Sequence, residues 1–493
     1  MRACFWTSLG AFIHSSHWQW HVARRLVAVL VVVLIGSLDP IGLQAVSDAR
    51  SRDAMYRISA PFYPDTARDR IALVLIDSPT LKSGVMDWPP KFDQYELLLT
   101  AIAALEPKAV FLDLLFLDRR GSQWDIDHFA DRIADLTETV PVFLPTAQEV
   151  TPADGACVPP HEEVLPELAR VGSRVDGSGG APFARFRGFG ESYYPVYGHC
   201  GARVLPSAAA AMLLVGREGS SHAETAASMD EPMSIRWGDG ASPFTLRHQV
   251  RDDHSAPCQA APEGWLGRLR RMLDRLGEAV FAGWVGKDED RPCLYHPHLS
   301  AVDLIGLYRE ASGEGEPPNS AALTLAELKG AYVLVSANVL AVGDKVQTPT
   351  HGQVPGVAAH AMALDNLLTL GADYVHAPPA FKELDANDLI QLAVVVFLFH
   401  VEYLVQTRWH AVRARLRPVM RWLLVGVAAL AGALIIFGTS LTVFLWLRWE
   451  PSNWLGLLMA YFAFLGAMAW SHLESLTAPP PEPCAECAKR PTP

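Results

Sequence analysis

Two aspartates stand at the ends of continuous apolar runs. Ile71–Ile76 runs into Asp77, and Ala109–Leu112 runs into Asp113. Unbroken runs of this kind suit strands buried on both faces, as in a parallel sheet. In open α/β sheets ligands bind beyond the carboxyl ends of such strands. Two carboxylates there could hold a divalent cation or a cationic ligand; alternatively, each caps the turn or helix that follows. A third apolar run, Tyr332–Ser336, precedes the segment Gly343–Pro349, which carries Asp344 and Thr348. That segment reads as a loop forming one wall of a polar pocket. His360 falls in the helix expected next, either as a ligand or as a packing residue. The candidate ligand-binding set is therefore Asp77, Asp113, Asp344, Thr348 and His360.

Catalytic signatures are missing from the chain. It has no G-x-S-x-G elbow, no phosphate-cradling G-x-x-x-x-G-K-[ST], no H-E-x-x-H and no kinase set. His296 and His298 lie beside Cys293, but their spacing matches no standard metal site. The reading expects no enzymatic activity, no cofactor and no bound metal. Of seven cysteines, Cys157, Cys200, Cys258 and Cys293 fall in one globular stretch. Four cysteines allow three pairings; sequence neighbours, Cys157–Cys200 and Cys258–Cys293, are the expected pairs. Cys484 and Cys487 supply two of the four ligands a structural zinc needs, so they are incidental tail cysteines or half of a site shared between two tails.

The elements that position these residues alternate. The apolar runs and Val140–Leu144 read as strands, while Phe92–Leu105 and Pro355–Leu370 read as helices. Alternation of this kind predicts an α/β layer fold with a mostly parallel sheet. Asp48–Arg70 reads as a polar connector. Between Leu144 and Leu328 the pattern loosens, with a short Ala-rich helix at Ser207–Val215. Gly264–Phe281 is amphipathic, with Trp265, Leu266, Leu269, Leu273, Leu276 and Val280 apolar and arginines opposite. It packs on its own domain or lies on a membrane surface.

Half of the residues are hydrophobic, and long apolar runs flank the globular stretch. Spans are expected at 26–43, 388–406, 422–447 and 454–472, the last three each about long enough for a hydrocarbon core of roughly 30 Å. Asp39-Pro40 interrupts the first, and a cleaved signal peptide is its alternative. Arg24 and Arg25 precede the first span, and Arg408, Arg413, Arg415, Arg417 and Arg421 crowd the loop 407–421. The positive-inside rule makes both segments cytoplasmic. The N-terminus 1–25 and tail 473–493 are then inside, and the domain 44–387 is periplasmic. The chain is read as a multi-pass protein of a bacterial inner membrane. Its net charge of −12 argues against a nucleic-acid partner. His400 and Glu402 fall within the second span, where ionisable groups face a bundle interior or snorkel to the interface.

The ordered blocks resemble the second class of CHASE sensors, extracytoplasmic domains found in histidine kinases, adenylate cyclases and Ser/Thr kinases. The blocks are Leu38–Ile41, Ile71–Asp77 with Trp88-Pro89 and Tyr95–Leu99, then Ala109–Phe116, Leu205-Pro206-Ser207 and Ile235-Arg236-Trp237. The last runs from Leu328-Lys329-Gly330 to Val342-Gly343-Asp344, Thr348-Pro349, Pro355-Gly356-Val357 and His360-Ala361. Where the family has a W-P-W-x-R-like stretch this chain has Trp88-Pro89-Pro90-Lys91, and Asp77-Ser78 stands for the usual Asp-Asp. The resemblance implies a sensor that relays its state through the membrane helices. Its usual cytoplasmic catalytic domain has no counterpart here, which points to a separate signalling or effector protein as partner. The bilayer is the other partner, and a homodimer fits paired signalling spans. A structural subunit of a membrane complex is the alternative reading, and an exported metal-dependent enzyme built on Asp77, Asp113 and Asp344 is a weaker one.

Overall fold

The computed structural model describes residues 43–145, 165–171, 193–200, 203–215, 229, 231–248, 258–281, 293–313, 325–339, 344–381, 384–413 and 418–477. The expected first span, Cys157 and the tail cysteines lie outside them. The chain divides into two compact units: Asp53–Ala377 with Arg448–Glu450, and the remainder, which contains the long apolar helices.

In chain order the globular part uses α1 (Leu43–Ser59), β1 (Ile71–Asp77), α2 (Phe92–Ala103), β2 (Ala109–Asp113), α3 (Gln123–Thr137), β3 (Val142–Phe143), and a hairpin of β4 (Tyr197–Cys200) and β5 (Arg203–Pro206). There follow α4 (Ala208–Val215), α5 (Gly264–Phe281), β6 (His298–Ser300), α6 (Ala301–Ala311), β7 (Tyr332–Asn338), a second hairpin of β8 (Lys345–Thr348) and β9 (Gly352–Pro355), and α7 (Val357–Leu370). The α/β class holds. Five strands form one sheet in the order β3-β2-β7-β1-β6, and each pairing within it is parallel.

The period of two along each strand divides the core. Ala72, Val74 and Ile76 of β1 join Val110, Leu112, Val333 and Val335 on one face, under α2, α3 and α6. Ile71, Leu73 and Leu75 join Phe111, Phe143 and Leu334 on the other, under α4 and α7. The alanines of α7 and α4 are buried and let the two helices approach closely. The result is a three-layer sandwich. Connections from β1 and β2 leave toward the first face, while the chain after β7 passes to the second.

Two local readings change. The segment read as a polar connector is helical through Ser59, and its apolar positions Ala54, Met55, Tyr56 and Ile58 are buried. The segment read as a loop around Asp344 becomes strand from Lys345: Val346 and Thr348 turn inward while Lys345 and Gln347 stay exposed, the alternation of a half-buried strand.

In the second unit, α8 (Ala386–Arg413), α9 (Pro418–Thr442) with a π turn at Val443–Leu447, and α10 (Trp454–Thr477) are the long helices. Among the described residues one helix, Leu423–Leu447, is long and apolar enough to cross a membrane. The apolar segments Ala386–Leu398 and Trp454–Ala463 are shorter. Within this unit the Trp454 indole donates to the Ser51 carbonyl at 3.0 Å and the Ser47 hydroxyl to Asn453 at 2.7 Å. His400 and Glu402 lie on α8.

Candidate functional site at the carboxyl edge of the sheet

The sheet brings three of the five candidate residues together and separates two. Asp77 ends β1 opposite Asn338 of β7. Its Oδ1 accepts from the Thr80 amide (3.1 Å), the Thr80 hydroxyl (2.8 Å) and the Ser300 hydroxyl (2.6 Å). It is the N-cap of the short helix Ser78–Lys82. Thr348 is buried in the β8–β9 turn, donating to the Gly352 carbonyl (3.0 Å) and accepting from the His351 amide (2.9 Å). Both are satisfied by local structure.

Asp113, Asp344 and His360 converge. Asp113 ends β2 opposite Ser336 of β7, and burial pushes its carboxyl up to about 7, against the pull of a hydrogen bond from Ser336. Asp344 begins the β8 arm just beyond β7. Burial raises its carboxyl, the Asp113 charge raises it further, and His360 opposes both. His360 is buried one turn into α7, and burial holds its imidazole down near about 4. The ring is therefore neutral at pH 7. The Tyr194 hydroxyl lies 3.0 Å from His360 Nδ1 and accepts from the Ala209 amide at 3.3 Å. Burial lifts Tyr194 well above the ordinary phenol range. Phe111 meets the imidazole edge-on at 5.4 Å between ring centroids. Gly356, at the start of α7, allows the close approach: a Cβ there would collide with the Asp344 carboxylate.

This is where the topology predicts a crevice. The chain leaves β2 toward one face of the sheet and leaves β7 toward the other, and ligands bind at such switch points. The site holds a half-buried carboxylate, Asp113, and an exposed one, Asp344, with few donors, beside a buried neutral histidine and a phenol. Such a group attracts a cation or a protonated amine, which would supply the missing countercharge. Among the described residues no three His, Cys, Asp or Glu side chains stand in a metal-holding arrangement.

A family model described as the CHASE2 domain matches residues 26–401. The chain belongs to the CHASE2 family. CHASE2 domains are extracytoplasmic sensors, which makes this chain a membrane protein of sensor type. Comparison with curated proteins and with solved structures found no significant match.

The CHASE2 unit holds a second buried polar group that the sequence reading missed. Asp365 is fully buried in α7; it accepts from the Tyr63 hydroxyl at 2.6 Å and lies 3.3 Å from His296 Nε2. Arg68 lies over the Tyr295 ring and Arg236 over the Tyr63 ring. The nearby recess lined by Trp237, Tyr295, His296 and His351 is too tight to admit water. Asp365-Asn366, two polar residues inside an otherwise apolar helix, was the signal. This group ties α7 to the segments around it, and it leaves no room for a ligand. Cys258 and Cys293 form a disulfide in the same unit, which keeps Cys293 from ligating a metal.

Proposed function

We propose that this CHASE2 unit senses a small cationic ligand at the Asp113–Asp344–His360 crevice and relays its occupancy through the membrane helices to a separate effector protein. The convergence of the half-buried Asp113 and the exposed Asp344 beside the buried, neutral His360 at the switch point of the sheet carries this reading. A cation arriving there restores the charge balance, so the bound and free domains differ in energy. A stimulus transmits only through such a difference in affinity between two states. The protein then binds and signals, and performs no chemistry of its own.

The route out of the domain has structural support. Arg448–Glu450, between α9 and α10 in sequence, belongs to the globular unit. Its backbone bridges His376, with His376 N to the Arg448 carbonyl at 2.9 Å and Glu450 N to the His376 carbonyl at 3.0 Å. The buried Glu450 carboxylate accepts from Ser234 (2.6 Å) and Tyr193 (2.7 Å), and Tyr56 of α1 reaches the Ser234 hydroxyl at 2.6 Å. A shift within the domain would pull on a segment joined covalently to two membrane-directed helices. The arginine-rich segment 407–421, which includes the end of α8 and the start of α9, is the proposed docking surface for the effector.

The test uses the full chain in proteoliposomes, titrated with divalent cations and primary amines while thermal unfolding is followed. Stabilisation by one of these classes that disappears in Asp113→Asn and Asp344→Asn supports the site. If no cation or amine stabilises the wild type, the ligand reading fails. Cross-linking from the segment 407–421 then tests the relay. A partner recovered with no ligand-dependent change in its activity favours a structural subunit instead.

A further inference from the structure

We propose that α5 is an interfacial helix that seats its apolar stripe in the outer surface of the membrane to which the chain is anchored. At 100° per residue its apolar positions Trp265, Leu266, Leu269, Met272, Leu273, Leu276 and Val280 share one side of the helix, with Arg268 and Arg270 flanking that stripe. An amphipathic helix of a soluble domain normally turns such a stripe inward. This one does not. None of its described residues is fully buried: Leu269, Met272 and Leu276 are half-buried, while Leu266 and Trp265 are 78% and 66% exposed and Leu273 and Val280 are exposed as well.

The polar side faces the domain instead. Arg271 and Arg275 both reach the buried Asp239 carboxylate, at 3.7 and 3.9 Å, and Arg271 donates to Gln259 at 2.7 Å. The Cys258–Cys293 disulfide and the Ala241 N to Gln259 carbonyl bond (2.9 Å) fix the segment that leads into α5. At one edge of the stripe Trp265 meets Phe62, the rings tilted by 59° with centroids 5.2 Å apart. The helix is thus held firmly with its greasy side outward, which is an orientation and not a loosely placed segment.

Three observations favour lipid as the occupant. The chain carries a helix able to span a bilayer, so a membrane surface is always at high local concentration. A stripe of leucine, valine and tryptophan bordered by arginine is the composition of helices that lie in the headgroup region, the arginines meeting lipid phosphates. A second protein copy fits poorly, because a stable interface buries about 800 Å² per partner and a single exposed stripe of four or so side chains falls well short.

The experiment reconstitutes the full chain in vesicles of phosphatidylethanolamine and phosphatidylglycerol doped with a lipid whose acyl chain carries a photoactivatable group. Labelled peptides are mapped by mass spectrometry. Label is expected at 264–281 as well as at 423–447. In L266D/L273D the label at 264–281 should be lost while that at 423–447 persists, which shows that insertion is intact. An E263Q control should keep both. Absence of label at 264–281 in the wild type overturns the proposal whatever the variant does, as does label that survives L266D/L273D. A cross-link between two copies through position 273 overturns it in favour of a dimer interface.

Discussion

Asp77 and Asp113 occupy equivalent places and lead different lives. Each ends a parallel strand beside β7, each follows an apolar run, and each is the first polar group past the core. Asp77 accepts three hydrogen bonds from Thr80 and Ser300 and starts a helix. Asp113 is followed by Leu114–Leu117, which form no helix, so it caps none. Its hydrogen-bond support is Ser336, and its carboxyl is pushed up to about 7. One carboxylate is spent on structure, while the other is left able to respond. A carboxylate becomes available for function when the local backbone does not satisfy it.

The largest effect should come from the satisfied member. Asp77→Ala removes a helix cap and leaves the Ser300 hydroxyl and the Thr80 amide without their acceptor, a loss of about 2–3 kcal/mol. Denaturant unfolding of the purified chain measures it. A loss below about 1 kcal/mol would break the contrast, because Asp77 would then be no more structural than its counterpart.

Asp113→Asn tests the other member through pH. Folded, the Asp113 carboxyl titrates near about 7, against an ordinary value of 3.8. Between those values the folded protein holds a proton that the unfolded chain has released. This contribution to stability is complete below about pH 4, falls as pH rises to about 7 and is flat above. The variant has no such proton, so the wild type should lose stability relative to it across that window. The full shift corresponds to about 4 kcal/mol, cut to on the order of 2 kcal/mol because the half-buried side chain keeps some contact with solvent. Parallel stability curves for the two proteins would remove Asp113 from the responsive class.

Gly356→Ala probes how closely α7 presses on the responsive site. The new methyl collides with the Asp344 carboxylate, which must swing away to make room. A cost of about 1–2 kcal/mol is expected. In the Asp344→Ala background most of that cost should vanish, since the colliding group is gone. An equal cost in both backgrounds would place the strain elsewhere in α7.

The contrast between the two aspartates was partly legible in the sequence. Ser78-Pro79-Thr80 after Asp77 is a helix-start signature, with proline in the first turn and a hydroxyl three residues on, and nothing like it follows Asp113. The central strands were legible because sheets buried on both faces need continuous apolar runs. Strand β3 was legible within the apolar run Val140–Leu144, whereas β6 has three residues, too few for any period to register. Helix α3 announces itself through the Ser122–Asp125 capping box and its buried Ile126, Phe129 and Ile133, a pattern the reading passed over. Tyr194 could not be found at all. It meets His360 across 166 residues of chain, and such pairings depend on how the layers close rather than on local spacing. The outward stripe of α5 was ambiguous for a related reason. A periodic pattern fixes which residues share a side but not which way that side turns.

Ser336→Ala should have the smallest effect and gives the finest resolution. Ser336 sits on β7 directly opposite Asp113 and holds its carboxyl down against burial. Deleting the hydroxyl leaves burial unopposed, so Asp113 should titrate higher still, by up to about one unit, with a stability change below about 1 kcal/mol. Carbon-13 resonances of labelled aspartate side chains report the shift directly. The contacts of Asp77 run to Thr80 and Ser300, on the far side of β7, and stay in place in this variant. An unmoved Asp113 titration would mean that its raised value owes nothing to the scarcity of donors. The difference between the two aspartates would then reduce to depth of burial, and the crevice would lose the unmet hydrogen-bonding demand that makes it receptive to a cation.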